Sequence, residues 1–112
     1  MIKADLIALA ERVERAEGPS FTFELEIFRA INPQATRHSI PNNYTASLDA
    51  AMTLVPHGFL WTMDSWEGSR WSAGIWRDRR WLVHTSEKRT SRTPALALTA
   101  ASLRAIAEEM DA

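Results

Sequence analysis

Apolar positions recur at the spacing of an α-helix in four parts of the chain. The first stripe lies within residues 2–16 and is formed by Ile2, Leu6, Leu9 and Val13. Similar stripes predict helices over residues 21–31, 45–55 and 94–110. Gly18-Pro19 ends the first stripe, and Thr93-Pro94 begins the last with a good N-cap followed by proline at the first helical position.

Between the third and fourth helices the apolar pattern changes to that of β-strands. Strands are predicted over residues 59–66, 70–77 and 80–85. All five tryptophans of the chain lie here, at positions 61, 66, 71, 76 and 81, one every five residues. Five residues advance about 140° around a helix, so this spacing fits no helix face. It does fit antiparallel hairpins.

The spacing suggests a register for the first hairpin. If Gly68-Ser69 is a two-residue turn, Trp66 lies opposite Trp71 and Trp61 lies opposite Trp76. Aromatic pairs facing each other across two strands contribute roughly 0.2–1 kcal/mol each relative to alanines. The sequence therefore predicts this register.

A second turn at Asp78-Arg79 would place Trp76 opposite Trp81. Strand alternation then puts Trp61, Trp76 and Trp81 in a row on one face, which we expect to be core, with Trp76→Ala the most damaging tryptophan substitution. Trp66 and Trp71 fall on the other face, where the sequence does not tell whether they are exposed or covered by a helix.

Together these patterns predict an α+β fold in a single domain over residues 1–112. Its sheet is a three-stranded antiparallel meander (59–66, 70–77, 80–85), packed with about four helices in a sandwich-like arrangement. Hydrophobic content of 46% and charged content of 24% are ordinary for a globular domain. No apolar run approaches the roughly 20 residues of a membrane span, so no membrane partner is expected.

Charge is unevenly distributed although the net charge is only −1. Residues 1–28 carry three basic and six acidic side chains, whereas residues 70–92 carry seven basic and two acidic ones. We therefore expect an acidic helical side and a basic hairpin side.

Candidate chemistry is sparse. The chain has no cysteine, and its three histidines lack metal-ligand spacing, so neither a metal nor another cofactor is expected. No set of acid, base and nucleophile is recognisable, and an enzyme is not predicted. The sharper signal is a set of arginines and tryptophans that could stack bases and hold phosphates. These candidate binding residues are Trp66, Trp71, Arg70, Arg77, Arg79, Arg80, His84, Arg89 and Arg92.

Three segments resemble a known family. They are NNYTASLDAAMTLVP at residues 42–56, the aromatic hairpins that begin at Gly58-Phe59, and TPALALTAASLRAIA at residues 93–107. In this order they resemble the phage ABA sandwich domain, a family of small phage and prophage proteins with a sheet between helices. The resemblance implies a phage or prophage origin, an accessory role and a location in the cytoplasm of the bacterial host. It implies no chemistry.

Two functions remain open at this point. The first is non-enzymatic binding of a host or phage protein through the acidic N-terminal helices or an exposed tryptophan pair, with inhibition of host machinery or defence as one consequence. The second is capture of an anionic nucleotide or single-stranded nucleic acid by the basic hairpin side. A homodimer, formed through an edge strand or an apolar helix stripe, is also compatible with the pattern.

Overall fold

The computed structural model describes residues 3–32, 41–76 and 90–110, and the backbone of 82–84. The elements in chain order are α1 (Lys3–Glu14), α2 (Phe21–Ile31), α3 (Leu48–Met52), β1 (Leu60–Trp66), β2 (Arg70–Trp76), β3 (Leu82–His84) and α4 (Pro94–Glu109). The α+β class is thus confirmed, with four helices and an antiparallel sheet within these residues.

Helix α4 lies between α1 on one side and the sheet on the other. One of its stripes packs with α1, α2 and Tyr44, and consists of Leu96, Ala100, Leu103 and Ala107. The opposite stripe packs with α3 and the sheet, and consists of Ala97, Leu98, Ala101 and Ala105. A helix that is apolar on both sides must be covered on both sides. The small alanine side chains let its neighbours approach closely.

The predicted start of α4 is confirmed. Thr93 has an extended backbone, and its hydroxyl accepts a 3.1 Å hydrogen bond from the Leu96 amide. Pro94 occupies the first turn, where it removes no intrahelical hydrogen bond. Ser20 and Ser47 cap α2 and α3 in the same way.

One buried ion pair ties α4 to α1. The guanidinium of Arg104 donates from Nη2 to Glu14 Oε1 at 2.7 Å and from Nε to Glu14 Oε2 at 3.2 Å. Both side chains are largely shielded from solvent. A forked pair of this kind fixes the rotation of α1 about α4, since each charge needs the other once it is removed from water.

A second polar network holds the turn that follows residue 41 against α2 and α4. The hydroxyl of Thr45 donates to Glu24 Oε2 at 2.6 Å, and the Thr45 amide donates to the same oxygen at 3.3 Å. The Thr99 hydroxyl donates to the carbonyl of Tyr44 at 3.0 Å. Tyr44 itself is buried in the first core cluster, and this burial raises the pKa of its hydroxyl despite an opposing hydrogen bond with Asn42.

The register predicted for the first hairpin is wrong by one residue. Trp66 lies opposite Arg70, and Trp61 lies opposite Ile75, so three residues rather than two connect the strands. Gly68 and Ser69 both have positive φ, at 75° and 59°. A one-residue change of register moves every side chain of β2 to the other face relative to β1.

The face assignment of β2 is therefore corrected. Trp71, Ala73 and Ile75 share the helix-facing side with Trp61 of β1, and all four belong to or pack against the cluster around α4. Trp76 lies on the opposite side, beside Leu60. The reason for ranking Trp76→Ala as the worst tryptophan substitution is thereby lost.

The finer prediction of a three-stranded meander is not confirmed. Of the strand predicted at 80–85, only Leu82–His84 is described, and it pairs with β2 through Ile75 opposite His84 and Trp76 opposite Leu82, with a shift of register between them. The predicted pairing of Trp76 with Trp81 is wrong, because Leu82 takes that position. Trp81 itself lies outside the described residues.

The Arg104–Glu14 pair predicts a large loss of stability for a conservative change. Glu14→Gln leaves a buried guanidinium without its counter-charge, and we expect the free energy of unfolding to fall by roughly 3 kcal/mol. Glu11→Gln, in the same helix but exposed, is the matched control and should stay within about 0.5 kcal/mol of the parent protein. Urea denaturation of both variants measures the difference. Equal effects would show that the buried pair contributes nothing beyond an exposed carboxylate.

Tyr44 predicts how stability depends on alkaline pH. The unfolded chain ionises this side chain near pH 10, whereas the folded protein retains the proton to higher pH. The contribution of Tyr44 is therefore fully present below about pH 10 and is lost as the pH rises through the folded-state pKa. Because Tyr44 is the only tyrosine, tyrosinate absorbance reports it directly. A native-state midpoint at or below 10 would contradict the raised pKa, and Tyr44→Phe supplies the baseline.

Candidate binding surface

The face of the hairpin that points away from α4 is the candidate site. Strand alternation and the observed register place eight residues on this surface, called here the open face: Leu60, Thr62, Asp64, Trp66, Arg70, Ser72, Gly74 and Trp76. Among the described elements, the helices that contact the sheet do so through its other side. Leu60 is 51% exposed and Trp66 is 40% exposed.

Trp66 is held across the open face by a hydrogen bond. Its indole nitrogen donates to Ser72 Oγ at 2.8 Å. Ser72 lies diagonally across the two strands, two residues beyond Arg70, which directly faces Trp66, and is only 6% exposed. The ring therefore lies with its polar edge satisfied and part of its apolar surface towards solvent. This arrangement gives a fixed aromatic surface.

Arg70 lies directly opposite Trp66 and is also fixed. Its Nε donates to Thr90 Oγ1 at 3.1 Å, and its Nη2 donates to the Thr90 carbonyl at 2.7 Å. Thr90 is positioned by its neighbour Ser91, which exchanges two backbone hydrogen bonds with Trp71 at 2.7 and 2.8 Å. The guanidinium is thus ordered before any ligand arrives, which lowers the entropic cost of binding.

Charges on and beside the open face are balanced in the described part of the chain. Asp64 and Glu67 are exposed acids, while Arg70 is half-buried and Arg92 is exposed. Two donors of the Arg70 guanidinium are already used by Thr90. These residues alone create no basic patch of the kind that nucleic-acid binding requires.

The structure brings together only part of the predicted set of binding residues. Trp66 and Arg70 face each other on the open face, whereas Trp71 lies on the helix-facing side, half-buried against the cluster around α4. Arg92 is exposed just before α4. His84 is described only through its backbone pairing with Ile75. The other four arginines, Arg77, Arg79, Arg80 and Arg89, lie outside the described residues.

Two residues that anchor this surface were missed by the sequence patterns. Ser72 and Thr90 accept the hydrogen bonds that hold Trp66 and Arg70. Ser72 gives a weak signal in retrospect, because a serine between Trp71 and Ala73 in an otherwise apolar strand needs a nearby donor. Thr90 gives none, since its partner lies twenty residues away along the chain.

The acidic N-terminal helices are the other predicted surface. Several of their carboxylates form ion pairs or hydrogen bonds with other residues of the chain. Glu14 pairs with Arg104, Glu24 accepts from Thr45, and Glu26 pairs with Arg12 at 3.1 Å. The groove between α1 and α2, of about 390 Å³, is lined by both signs of charge: Asp5 and Glu26 against Arg12 and Arg29. This side of the molecule therefore presents less acidic surface than the sequence suggested.

Comparisons with protein-family profiles, curated protein sequences and solved structures find no match for this chain. The resemblance to the phage ABA sandwich domain therefore stays a prediction. Within the described ranges, no group of three or more His, Cys, Asp or Glu residues is placed to hold a metal ion. None of the described helices is both long and apolar enough to cross a lipid bilayer.

Trp66 and Trp71, which the tryptophan spacing pairs, should differ in their contribution to stability. Trp71→Ala removes a ring that packs against the cluster around α4, and we expect a loss of roughly 2–4 kcal/mol. Trp66→Ala removes a more exposed ring and one hydrogen bond, and should cost about 1 kcal/mol. Thermal melts of the two variants compare them directly. A larger effect at Trp66 would contradict the observed register.

Proposed function

We propose that this protein is a non-enzymatic binding protein that holds a protein partner on the open face. The observation that supports this most is the combination of exposed Leu60 with the exposed, hydrogen-bonded Trp66 and the ordered Arg70 on one surface. Tryptophan and arginine are the residues that most often dominate protein–protein interfaces. Their side chains here are already held in place, so less rotamer entropy is lost on association.

The balance of charge among the described residues of this surface favours a protein over an anionic ligand. The exposed acids Asp64 and Glu67 lie close to Arg70, and they would repel a phosphate backbone. The same mixture of acid, base and aromatic side chains suits a protein surface of mixed polarity.

The biological setting is proposed from the resemblance and not from the surface. On that basis the protein is a phage- or prophage-encoded accessory protein acting in the cytoplasm of a bacterial host. Its partner is then a host or phage protein, and blocking host machinery or a host defence system is the expected consequence. The complete three-stranded meander belongs to this same proposal, whereas the described helices contact the sheet through one face only.

Capture of a nucleotide or of single-stranded nucleic acid is the second candidate. One observation favours it: Trp66 lies directly opposite Arg70, so a base could stack on the ring while a phosphate contacts the guanidinium. This mode of binding should weaken steeply with salt. Tryptophan fluorescence that does not change on titration with cyclic nucleotides or single-stranded nucleic acid at low salt rules it out.

The protein-binding proposal predicts which substitutions abolish partner capture. Tagged protein is incubated with host lysate, cross-linked and purified, and the cross-linked peptides are identified by mass spectrometry. We expect Leu60→Ser and Trp66→Ala to reduce recovery of the stoichiometric partner at least about tenfold, because both remove exposed apolar contact area from the open face. Cross-links should map to residues beside the open face.

Phe21→Ser is the matched control for this experiment. Phe21 is 64% exposed at the start of α2, so its substitution removes a comparable apolar surface elsewhere. Partner recovery should be unchanged. If Phe21→Ser abolishes capture while Leu60→Ser and Trp66→Ala do not, the interface lies on the N-terminal helices and the open-face proposal is wrong.

A further inference from the structure

β1 is an edge strand of the sheet. The strand order is β1-β2-β3, so β1 has a neighbour on one side only, and no described residue pairs with its other edge. The edge of a seven-residue strand whose outward backbone groups have no partner among the described residues is a template for another strand. What would pair with it depends on which of its residues direct their backbone groups outwards.

The backbone hydrogen bonds on the edge of β2 that faces away from β1 show which residues of β1 these are. Trp71 and Ser91 exchange both backbone hydrogen bonds, at 2.8 and 2.7 Å, so the backbone groups of Trp71 point away from β1. Because this direction alternates along a strand, the groups of Arg70 and Ser72 point towards β1. The backbone N–H and C=O groups of the opposite residues, Trp66 and Asp64, must then point towards β2. The residues of β1 whose backbone groups point outwards, away from β2, are therefore Trp61, Met63 and Ser65.

We infer that β1 pairs with β1 of a second copy of this chain, antiparallel and centred on Met63. A two-fold axis at an outward-pointing residue lets that residue and its copy exchange both backbone hydrogen bonds. Met63 is the middle residue of β1, so this centre overlaps the strand along its whole length. Trp61 and Ser65 would then exchange hydrogen bonds with the partner's Ser65 and Trp61.

The side chains of β1 complement themselves in this register. Leu60 lies beside the partner's Trp66, which joins the two exposed apolar side chains of the strand. Thr62 lies beside the partner's Asp64, where its hydroxyl can donate to the only carboxylate of the strand. Two copies of Asp64 would face each other, as a non-hydrogen-bonded pair, only in a register centred on Asp64. The register centred on Met63 avoids this like-charge repulsion.

Other registers are poorer. Centres at Trp61, Thr62, Asp64 or Ser65 are also compatible with the hydrogen-bond directions, but each overlaps less than the full strand. A centre at Ser65 would also place Asp64 beside the partner's Trp66 instead of a hydroxyl group. The geometry thus assigns β1 of a second copy as the strand that pairs with this edge, in the register centred on Met63. The paired sheet is a homodimer interface that shares Leu60 and Trp66 with the open face, and it joins the two open faces into one larger surface.

Oligomeric state tests the inference directly. The full chain, with a mass of 12.7 kDa, is examined by sedimentation equilibrium across the concentration range in which it stays soluble. We expect a concentration-dependent mass approaching twice that of one chain. A single-chain mass throughout would overturn the inference.

A proline at position 65 tests the hydrogen bonds of the edge. The Ser65 side chain is exposed, and its amide points outwards, so Ser65→Pro removes no bond between β1 and β2. It removes one donor from each copy and places the ring at the interface, which should weaken dimerisation about tenfold or more. Ser65→Ala keeps the amide and should dimerise like the parent. Equal dimerisation of the two variants would contradict pairing through this edge.

Charge exchange tests the register without changing the backbone. Thr62→Asp places a carboxylate beside the partner's Asp64 on both sides of the central Met63 pair, and we expect the dimer to dissociate. Adding Asp64→Thr to the same chain restores one carboxylate and one hydroxyl per pair, and should restore the dimer. If the double variant stays as monomeric as Thr62→Asp alone, the register is wrong.

A single cysteine tests the two-fold centre. Met63 and its copy would have Cα atoms about 5.5 Å apart, within the range that a disulfide spans. The chain has no cysteine of its own, so Met63→Cys should form a covalent dimer under mild oxidation, whereas Ser65→Cys should not. The reverse outcome would overturn the assigned centre. None of these results depends on whether an external partner binds the open face.

Discussion

Burial of α4 on two opposite sides is the constraint on which the rest of the described fold depends. An exposed helix needs one apolar stripe, whereas α4 has two, one towards α1 and one towards the sheet. Two of its buried polar residues find partners inside the protein. Thr99 donates to the carbonyl of Tyr44, and Arg104 pairs with Glu14. The positions of α1 and of the turn at Tyr44 follow from satisfying these two groups.

The helices could be predicted because their signals are local. Spacing of apolar residues and the cap formed by Thr93 and Pro94 involve neighbours in the chain, and the structure places these helices within a few residues of the predicted bounds. The register of the hairpin could not be predicted in the same way. It depends on whether the loop contains two or three residues, and Gly68-Ser69 is compatible with both. The one additional loop residue determines which face of the sheet every side chain of β2 occupies.

Relative magnitudes explain why the tryptophan spacing led to the wrong register. Pairing Trp66 with Trp71 is worth roughly 0.2–1 kcal/mol. The observed register instead buries Ile75 completely beneath α4, and full burial of one such side chain contributes about 1.5–3 kcal/mol. Ala73, with its small side chain, faces α4 in the same register. Contact with a helix distant in sequence therefore outweighs a regular pattern within the strands, and periodicity alone carries no information about that helix.

The candidate surface exists because of this same register. With Ile75 and Trp71 directed to α4, the alternate residues Arg70 and Ser72 are directed to the open face, where they meet Trp66. A tryptophan pair is thereby replaced by a tryptophan, an arginine and a buried serine. Under the proposed function, this set would bind by shape and by a few oriented polar groups, and less by net positive charge. The outward backbone groups of Trp61, Met63 and Ser65 follow from the hydrogen bonds of the same sheet. A partner of the open face would thus encounter either one surface or, across a paired β1, two related by a two-fold axis, and a symmetric partner would gain from the second arrangement through effective concentration.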